Sequence, residues 1–298
     1  MPRITPLNPQ KRRKAYIRFI TLSLVLLVAG GVYYLLAARY NEEDLYTSAE
    51  QLLRRGKHRE ATQVFEHLLS RYTNGTYRQQ ALLDAANTYN FYLRNIPRAI
   101  ELYKLIIDEK GITLEGRLEA RERLAEIYYQ DVGDLEQALS EYKSLRSGLM
   151  DSRNRQKCSF QIAQIYLRQN QLEKALQEYR EVVNIKGNTD FREKALLKIG
   201  NINLLLGKYQ EAETPLIEVT RTAKSDDIRH QANLGLVDIW ESTDKYEKAL
   251  ETLEAMRGDA EFEVFKQEEQ KRIKEKAGIL KKKSSSPWGG KKKQTSGD

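Results

Sequence analysis

The chain has 298 residues, with 50 lysine and arginine residues against 42 aspartate and glutamate residues, and a formal net charge of +8. It contains 6 prolines, 3 histidines and a single cysteine, Cys158. One cysteine excludes an internal disulfide and a cysteine-based zinc cluster, and three scattered histidines argue against a metal enzyme. Abundant charge with little proline favours a helix-rich fold over an all-β fold.

The positive charge is concentrated at the two ends of the chain. Residues 1–40 carry seven basic and no acidic residues, and residues 281–298 carry six lysines and one aspartate. The intervening residues 41–280 are therefore mildly acidic, which is not what nucleic-acid binding requires. We do not expect a nucleic-acid partner.

The first predicted element is a transmembrane helix at residues 19–38, after a basic cytoplasmic segment at residues 1–18. Residues 19–38 contain no charged side chain, and a helix of that length spans about 30 Å, the thickness of the hydrocarbon core. A cleaved signal peptide and a buried core helix are the alternatives. We favour a retained anchor because the apolar stretch is long and residues 36–38, Leu-Ala-Ala, form a poor cleavage site.

Flanking charge sets the predicted orientation of this helix. Five basic residues lie between Lys11 and Arg18, whereas Arg39 is followed closely by Glu42, Glu43 and Asp44. The basic side of a membrane span stays in the cytoplasm. The sequence therefore predicts a single-pass inner (plasma) membrane protein with a cytoplasmic N-terminus and a periplasmic or extracytoplasmic body.

Residues 42–257 contain six repeats of 37 to 39 residues, each predicted to form two helices joined by a short turn. Each repeat has a small residue, a turn residue, an alanine, and a large apolar residue four positions after that alanine. The alanines are Ala61, Ala99, Ala138, Ala175, Ala212 and Ala249, and the large residues are Phe65, Tyr103, Tyr142, Tyr179, Leu216 and Leu253. The predicted left-handed turn residues are Gly56, Asn95, Gly133, Asn170 and Gly207. Paired backbones that approach closely at small residues would share one core.

This pattern resembles the tetratricopeptide repeat (TPR) family, most clearly in the fourth repeat with Ala163, Tyr166, Asn170, Ala175 and Tyr179. The resemblance implies an all-α fold, an α-solenoid of about six TPR-like helix hairpins. The period exceeds the usual 34 residues, the proline that ends the second helix is missing, and the second repeat is irregular around residues 91–93.

Two segments follow the repeats. Residues 258–277 are predicted to form a polar capping helix, which a solenoid needs at its end to stay soluble. Residues 278–298 are rich in lysine, serine and glycine, and are predicted to be a disordered tail. That tail is either a solvated end or an electrostatic tether to an anionic surface.

The resemblance also implies a groove lined by the first helices, at positions three before, one after and four after the small residue. These positions hold Tyr46, Glu50 and Leu53 in the first repeat, Phe160, Gln164 and Leu167 in the fourth, Leu197, Asn201 and Leu204 in the fifth, and Leu234, Asp238 and Glu241 in the sixth. Members that hold a C-terminal carboxylate have lysine where Leu197 stands, so we expect no such clamp. Some of these residues could instead belong to the inter-helix core.

The sequence offers no catalytic constellation, and we expect neither an enzyme nor a cofactor or metal site. Phosphate-binding loops and paired histidines are missing, and Cys158 is expected to be a small buried apolar residue. An apolar groove with polar edges suits an amphipathic or extended segment of another protein. We predict a non-catalytic membrane-anchored scaffold or co-chaperone at the bacterial cell envelope, with protein translocation or envelope assembly as candidate processes.

Two alternative functions remain open at the level of sequence. One is binding of an anionic polymer or lipid through the lysine-rich tail. The other is a protein-import receptor on a eukaryotic organelle, anchored by the same predicted helix. The oligomeric state does not follow from the sequence.

Overall fold

The structure is a computed structural model that describes residues 21, 23–24, 27–28, 41–149, 151–187 and 190–284, with side chains up to residue 278. The basic segment 1–18, nearly all of the predicted transmembrane helix 19–38, and residues 285–298 of the lysine-rich tail lie outside these described residues. Within the described part of the chain, no helix is both long enough and apolar enough to cross a membrane.

From residue 41 onward the described chain is entirely helical, with thirteen α-helices, two π-helices and no strand. The α-helices are α1 (Glu42–Arg54), α2 (His58–Arg71), α3 (Arg78–Asn87), α4 (Ile96–Asp108), α5 (Leu114–Ile127), α6 (Leu135–Gly148), α7 (Ser152–Arg168), α8 (Leu172–Asn184), α9 (Asp190–Leu205), α10 (Tyr209–Thr222), α11 (Asp226–Ser242), α12 (Tyr246–Ala255) and α13 (Ala260–Ser284). The π-helices are π1 (Thr88–Tyr92) and π2 (Tyr128–Val132).

The chain divides into two compact units, an N-terminal unit ending at Leu124 and a C-terminal unit beginning at Ala125. The N-terminal unit contains the hairpins α1–α2 and α3–α4. The C-terminal unit contains α6, the hairpins α7–α8, α9–α10 and α11–α12, and the final helix α13. Helices within each hairpin are packed against each other. The prediction of an all-α fold built from helix hairpins is confirmed.

The residues that recur in the sequence form the core of both units. All six recurring alanines of the second helices are fully buried, and the six large residues four positions later are at most 2% exposed. In the fifth repeat, Leu216 lies against two glycines on different first helices. A methyl group added at Gly200 would lie 2.5 Å from Leu216 Cγ, and one added at Gly235 would lie 3.0 Å from Leu216 Cδ1. The sequence pattern therefore identified the inter-helix contacts correctly.

The turns between paired helices use residues with positive φ, as predicted at Gly56, Gly133, Asn170 and Gly207. The prediction for Asn95 is wrong, because the left-handed residue of that turn is Arg94, with φ of 51°. Asn95 is instead the N-cap of α4, where its side chain accepts a hydrogen bond from the backbone N–H of Arg98. An asparagine oxygen satisfies an unpaired N–H at a helix start as readily as asparagine tolerates a left-handed turn.

The irregularity of the second repeat is a π-helix. Ala49 and Ala61 of the first repeat are 12 residues apart, whereas Ala125 and Ala138 of the third are 13 apart. The second repeat shows the same separation when Ala86, which is fully buried, is taken as its small residue. A π-turn accommodates one extra residue inside a helix, and π1 and π2 end the first helices of these two repeats. This insertion lengthens both repeats.

Helix α13 occupies the position of a first helix in a further repeat. Phe262 near its start stacks on His230 of α11, with ring centroids 5.3 Å apart, and Arg272 further along bonds to Glu241 of the same helix. From the first contact to the second, the residue numbers increase along both helices, so α13 runs parallel to α11. It ends at Ser284, seven residues beyond the predicted boundary at residue 277. The leucine and three lysines within residues 278–284 have good helix propensity and favour the extension.

Candidate functional site

An open cleft lies in the C-terminal unit between α9 and α11, the first helices of the fifth and sixth repeats. Its volume is about 490 Å³. The lining residues are Asn201, Leu204, Leu205, Gln231, Leu234, Gly235 and Asp238. Four of these, Asn201, Leu204, Leu234 and Asp238, are positions at which the sequence predicted a groove. The structure brings these four together in one concave surface.

The cleft combines exposed leucine side chains with polar groups that have no internal partner. Leu205 is 74% exposed, and Leu204 and Leu234 are half-buried. The side-chain amides of Asn201 and Gln231 make no hydrogen bond to any residue that the structure describes. Apolar surface beside unbonded amides is the usual composition of a site that binds another polypeptide segment.

Asp238 gives the cleft a negative charge. Its carboxylate makes no hydrogen bond or ion pair with the described residues. Burial raises the pKa of Asp238, and the neighbouring carboxylates of Glu241 and Glu269 raise it further, whereas Arg272 acts in the opposite direction. The cleft therefore holds a carboxylate whose charge the surrounding protein does not compensate.

Glu241, which was predicted to lie in the groove, is covered by α13. Arg272 donates two hydrogen bonds of 2.6 Å to the Glu241 carboxylate and Lys276 donates one of 2.9 Å. These bonds lower the pKa of Glu241, chiefly through Arg272. The side chain of Glu241 is only 9% exposed. The structure therefore places the predicted groove residue Glu241 against α13, which occupies the next first-helix position, and not in the cleft.

In the fourth and fifth repeats, two predicted groove residues belong to the core instead. Phe160 is 7% exposed and packs against Tyr179 with ring centroids 5.3 Å apart, and Leu197 is 4% exposed. Helices packed on several sides have more than one apolar stripe, so spacing alone did not separate the groove stripe from the core stripe. Gln164 and Leu167 are half-buried and do not line the cleft.

The predicted groove residues of the first repeat lie in the N-terminal unit. The Tyr46 hydroxyl donates a hydrogen bond of 2.8 Å to Asp84 of α3, and the Tyr46 ring stacks on Tyr77. Burial is the main cause of the raised pKa values of both Tyr46 and Asp84. Glu50 and Leu53 are half-buried on α1. Tyr46 therefore bridges two neighbouring first helices and is already bonded.

Sequence reasoning missed Leu205, Gln231 and Gly235. Leu205 lies four residues after Asn201, and Gln231 lies three residues before Leu234. Residues three or four apart share a helix face. Extending the predicted stripe by one helical turn would have identified both. Gly235 forms part of the cleft wall because its lack of a side chain lets α11 approach Leu216 and Leu204.

Cys158 is buried at 3% exposure, as predicted for a small apolar residue. Among the residues that the structure describes, no group of three or more histidine, cysteine, aspartate or glutamate side chains is arranged to hold a metal ion. The cleft itself presents one carboxylate, two amides and three leucines. This set can bind a polypeptide by apolar contact, hydrogen bonding and charge attraction.

Comparison with known families agrees with the repeat pattern. Residues 152–271 match the family model described as a tetratricopeptide repeat-like domain. This part of the chain is therefore similar to a TPR-like domain. The matched range contains the fourth to sixth repeats, both walls of the cleft, and the first half of α13. No curated protein matches the sequence.

Several solved structures are similar to this chain at low sequence identity. A tetratricopeptide repeat protein from Parabacteroides merdae is 16% identical, with a TM-score of 0.50 over 83% of this chain and 94% of that one. MamA from Desulfovibrio magneticus is 17% identical, with a TM-score of 0.46 over 62% of this chain and 99% of the other. YrrB, described as a TPR protein with an unusual peptide-binding site, is 16% identical, with a TM-score of 0.44 over 64% and 89%. The first of these supports the assignment of a TPR-like solenoid fold.

Proposed function

We propose that the protein is a non-catalytic scaffold or co-chaperone that binds a segment of another protein in the cleft between α9 and α11. The observation that carries this proposal is the composition of the cleft, where exposed leucines adjoin amides and a carboxylate without internal partners. TPR-like folds generally bind peptides or other proteins, and four of the seven residues that line this cleft are positions at which the resemblance predicts a groove. This function requires no catalytic step at the cleft.

Site-specific photocrosslinking tests this binding role. A photoreactive amino acid placed at Leu205, which is exposed inside the cleft, should capture a discrete protein in cells. The matched control is Thr214, which is exposed on α10 outside the cleft. Capture at Leu205 that is absent at Thr214, and that is lost on Leu234→Glu in the cleft, supports the proposal. Equal capture at both positions contradicts it.

We further propose that residues 19–38 anchor the protein in the bacterial inner membrane, with the helical repeats on the extracytoplasmic side. The support is the charge-free stretch of that length and the excess of basic residues before it. Such a location would place the cleft where it could assist protein translocation or envelope assembly. Protease added to intact spheroplasts should then digest the repeats. Protection of the repeats until the membrane is broken would reverse the proposed topology.

A further inference from the structure

Asp238 is the only acidic residue that lines the cleft among the described residues, and its surroundings leave it uncompensated. Three charged groups act on it. Glu241 on the same helix and Glu269 on α13 have the same sign, and only Arg272 on α13 has the opposite sign. Two like charges against one opposite charge leave an excess of negative potential at Asp238.

Arg272, the basic group that acts on Asp238, is already bonded elsewhere, and so is Lys276 on the same helix. Arg272 donates to Glu241 at 2.6 Å and to Glu269 at 2.6 Å, and Lys276 donates to Glu241 at 2.9 Å. A cation shared by two carboxylates is poorly placed to neutralise a third. Asp238 is exposed in the cleft, and its carboxylate is therefore open to pair with a basic group of whatever occupies the cleft.

The geometry of the cleft fixes where that charge belongs. Leu234 and Asp238 are four residues apart on α11, which corresponds to an axial separation of about 6 Å. A partner helix that lies along the cleft presents side chains with the same rise. A leucine-sized side chain facing Leu204 and Leu234 would therefore place the residue four positions away beside Asp238.

We infer that the cleft selects an amphipathic partner helix in which a leucine-sized residue and a lysine or arginine lie four positions apart, the basic side chain pairing with Asp238. This inference rests on the proposed binding function and adds the charge of the partner. The other polar groups of the cleft, Asn201 and Gln231, are neutral and accept either sign. An acidic partner is disfavoured because it would bring like charge to Asp238.

The test uses full-length protein in detergent and three fluorescent alanine- and glutamine-based helical peptides. Each carries a pair of leucines in i, i+3 register, with a test residue four positions before the first leucine and another four positions after the second. The test residue is lysine, glutamine or glutamate. We expect the lysine peptide to bind roughly two- to fivefold tighter than the glutamine peptide, and the glutamate peptide to bind most weakly. Asp238→Asn should remove the preference of the cleft for the lysine peptide over the glutamine peptide.

The possible outcomes separate this inference from the proposed function. Equal binding of all three peptides, lost on Leu234→Glu and unaffected by Asp238→Asn, would keep the binding role and overturn the charge assignment. If no peptide binds, both are overturned. A chain shortened after Ser284 gives a further outcome. If it binds the lysine peptide more than about fivefold tighter than full-length protein does, the lysine-rich tail itself occupies the cleft, and the assignment to a partner is wrong.

Discussion

Truncation to alanine should lower stability strongly at one leucine of the fifth repeat and hardly at all at another. Leu216 is fully buried between the glycines at positions 200 and 235, whereas Leu205 is 74% exposed in the cleft. Glycines have no side chains that could move into the space left by Leu216→Ala. We therefore place its cost at about 3 to 4 kcal/mol, in the upper part of the range for buried leucines. Leu205→Ala should change the free energy of unfolding by less than about 0.5 kcal/mol.

Urea denaturation followed by circular dichroism measures this difference. A slope of about 3 kcal/mol per molar urea is reasonable for a chain of this size, so Leu216→Ala should lower the midpoint by about 1 M. Leu205→Ala should leave the midpoint unchanged and weaken peptide binding in the cleft. If the two variants shift the midpoint equally, Leu216 does not hold the neighbouring first helices together as described.

Three other measurements follow from the structure. Glu241→Gln should lower the free energy of unfolding by about 1 kcal/mol, because its partners are half-exposed, and should speed hydrogen exchange in α13. Glu269→Gln removes a bond within α13 only and should have less effect. Equal effects of the two variants would contradict the contact between Glu241 and α13. Gly207→Ala should destabilise by about 1 kcal/mol because φ there is 69°, whereas Gly278→Ala should not lower the melting temperature. Binding of the lysine peptide should weaken as the pH falls through the raised pKa of Asp238, since the cation favours the ionised form, and Asp238→Asn should flatten that dependence.

The sequence predicted the repeated core better than it predicted the groove. The recurring alanine and the large residue, Ala212 and Leu216 in the fifth repeat, are four positions apart in all six repeats. Their burial is a local consequence of pairing two helices. Groove exposure depends on which further helix packs alongside. Glu241 and Asp238 are three residues apart on α11, yet α13 covers only the first of them. No spacing rule within α11 contains that information.

Turn chemistry was predictable only where a residue has one dominant use. Glycine at position 133 has the left-handed conformation that its lack of a side chain allows. Asparagine serves both as a helix N-cap and as a left-handed turn residue, and Asn95 and Asn170 divide these roles between them. The left-handed residue lies five positions before the recurring alanine in each repeat, which in the second repeat is Arg94, five before Ala99. Asn95 lies one position later and serves as the N-cap of α4.

The two π-turns allow the first helices of the second and third repeats to contain one additional residue. In each, an additional residue bulges out of the first helix while Ala99 and Ala138 behind it remain fully buried. A single insertion or deletion at such a π-turn alters the outer contour of one hairpin without rotating the inward side of the helix that follows. Natural variants of this chain can therefore diversify the surfaces at Phe91 and Val132, both exposed, while the interior stays in register.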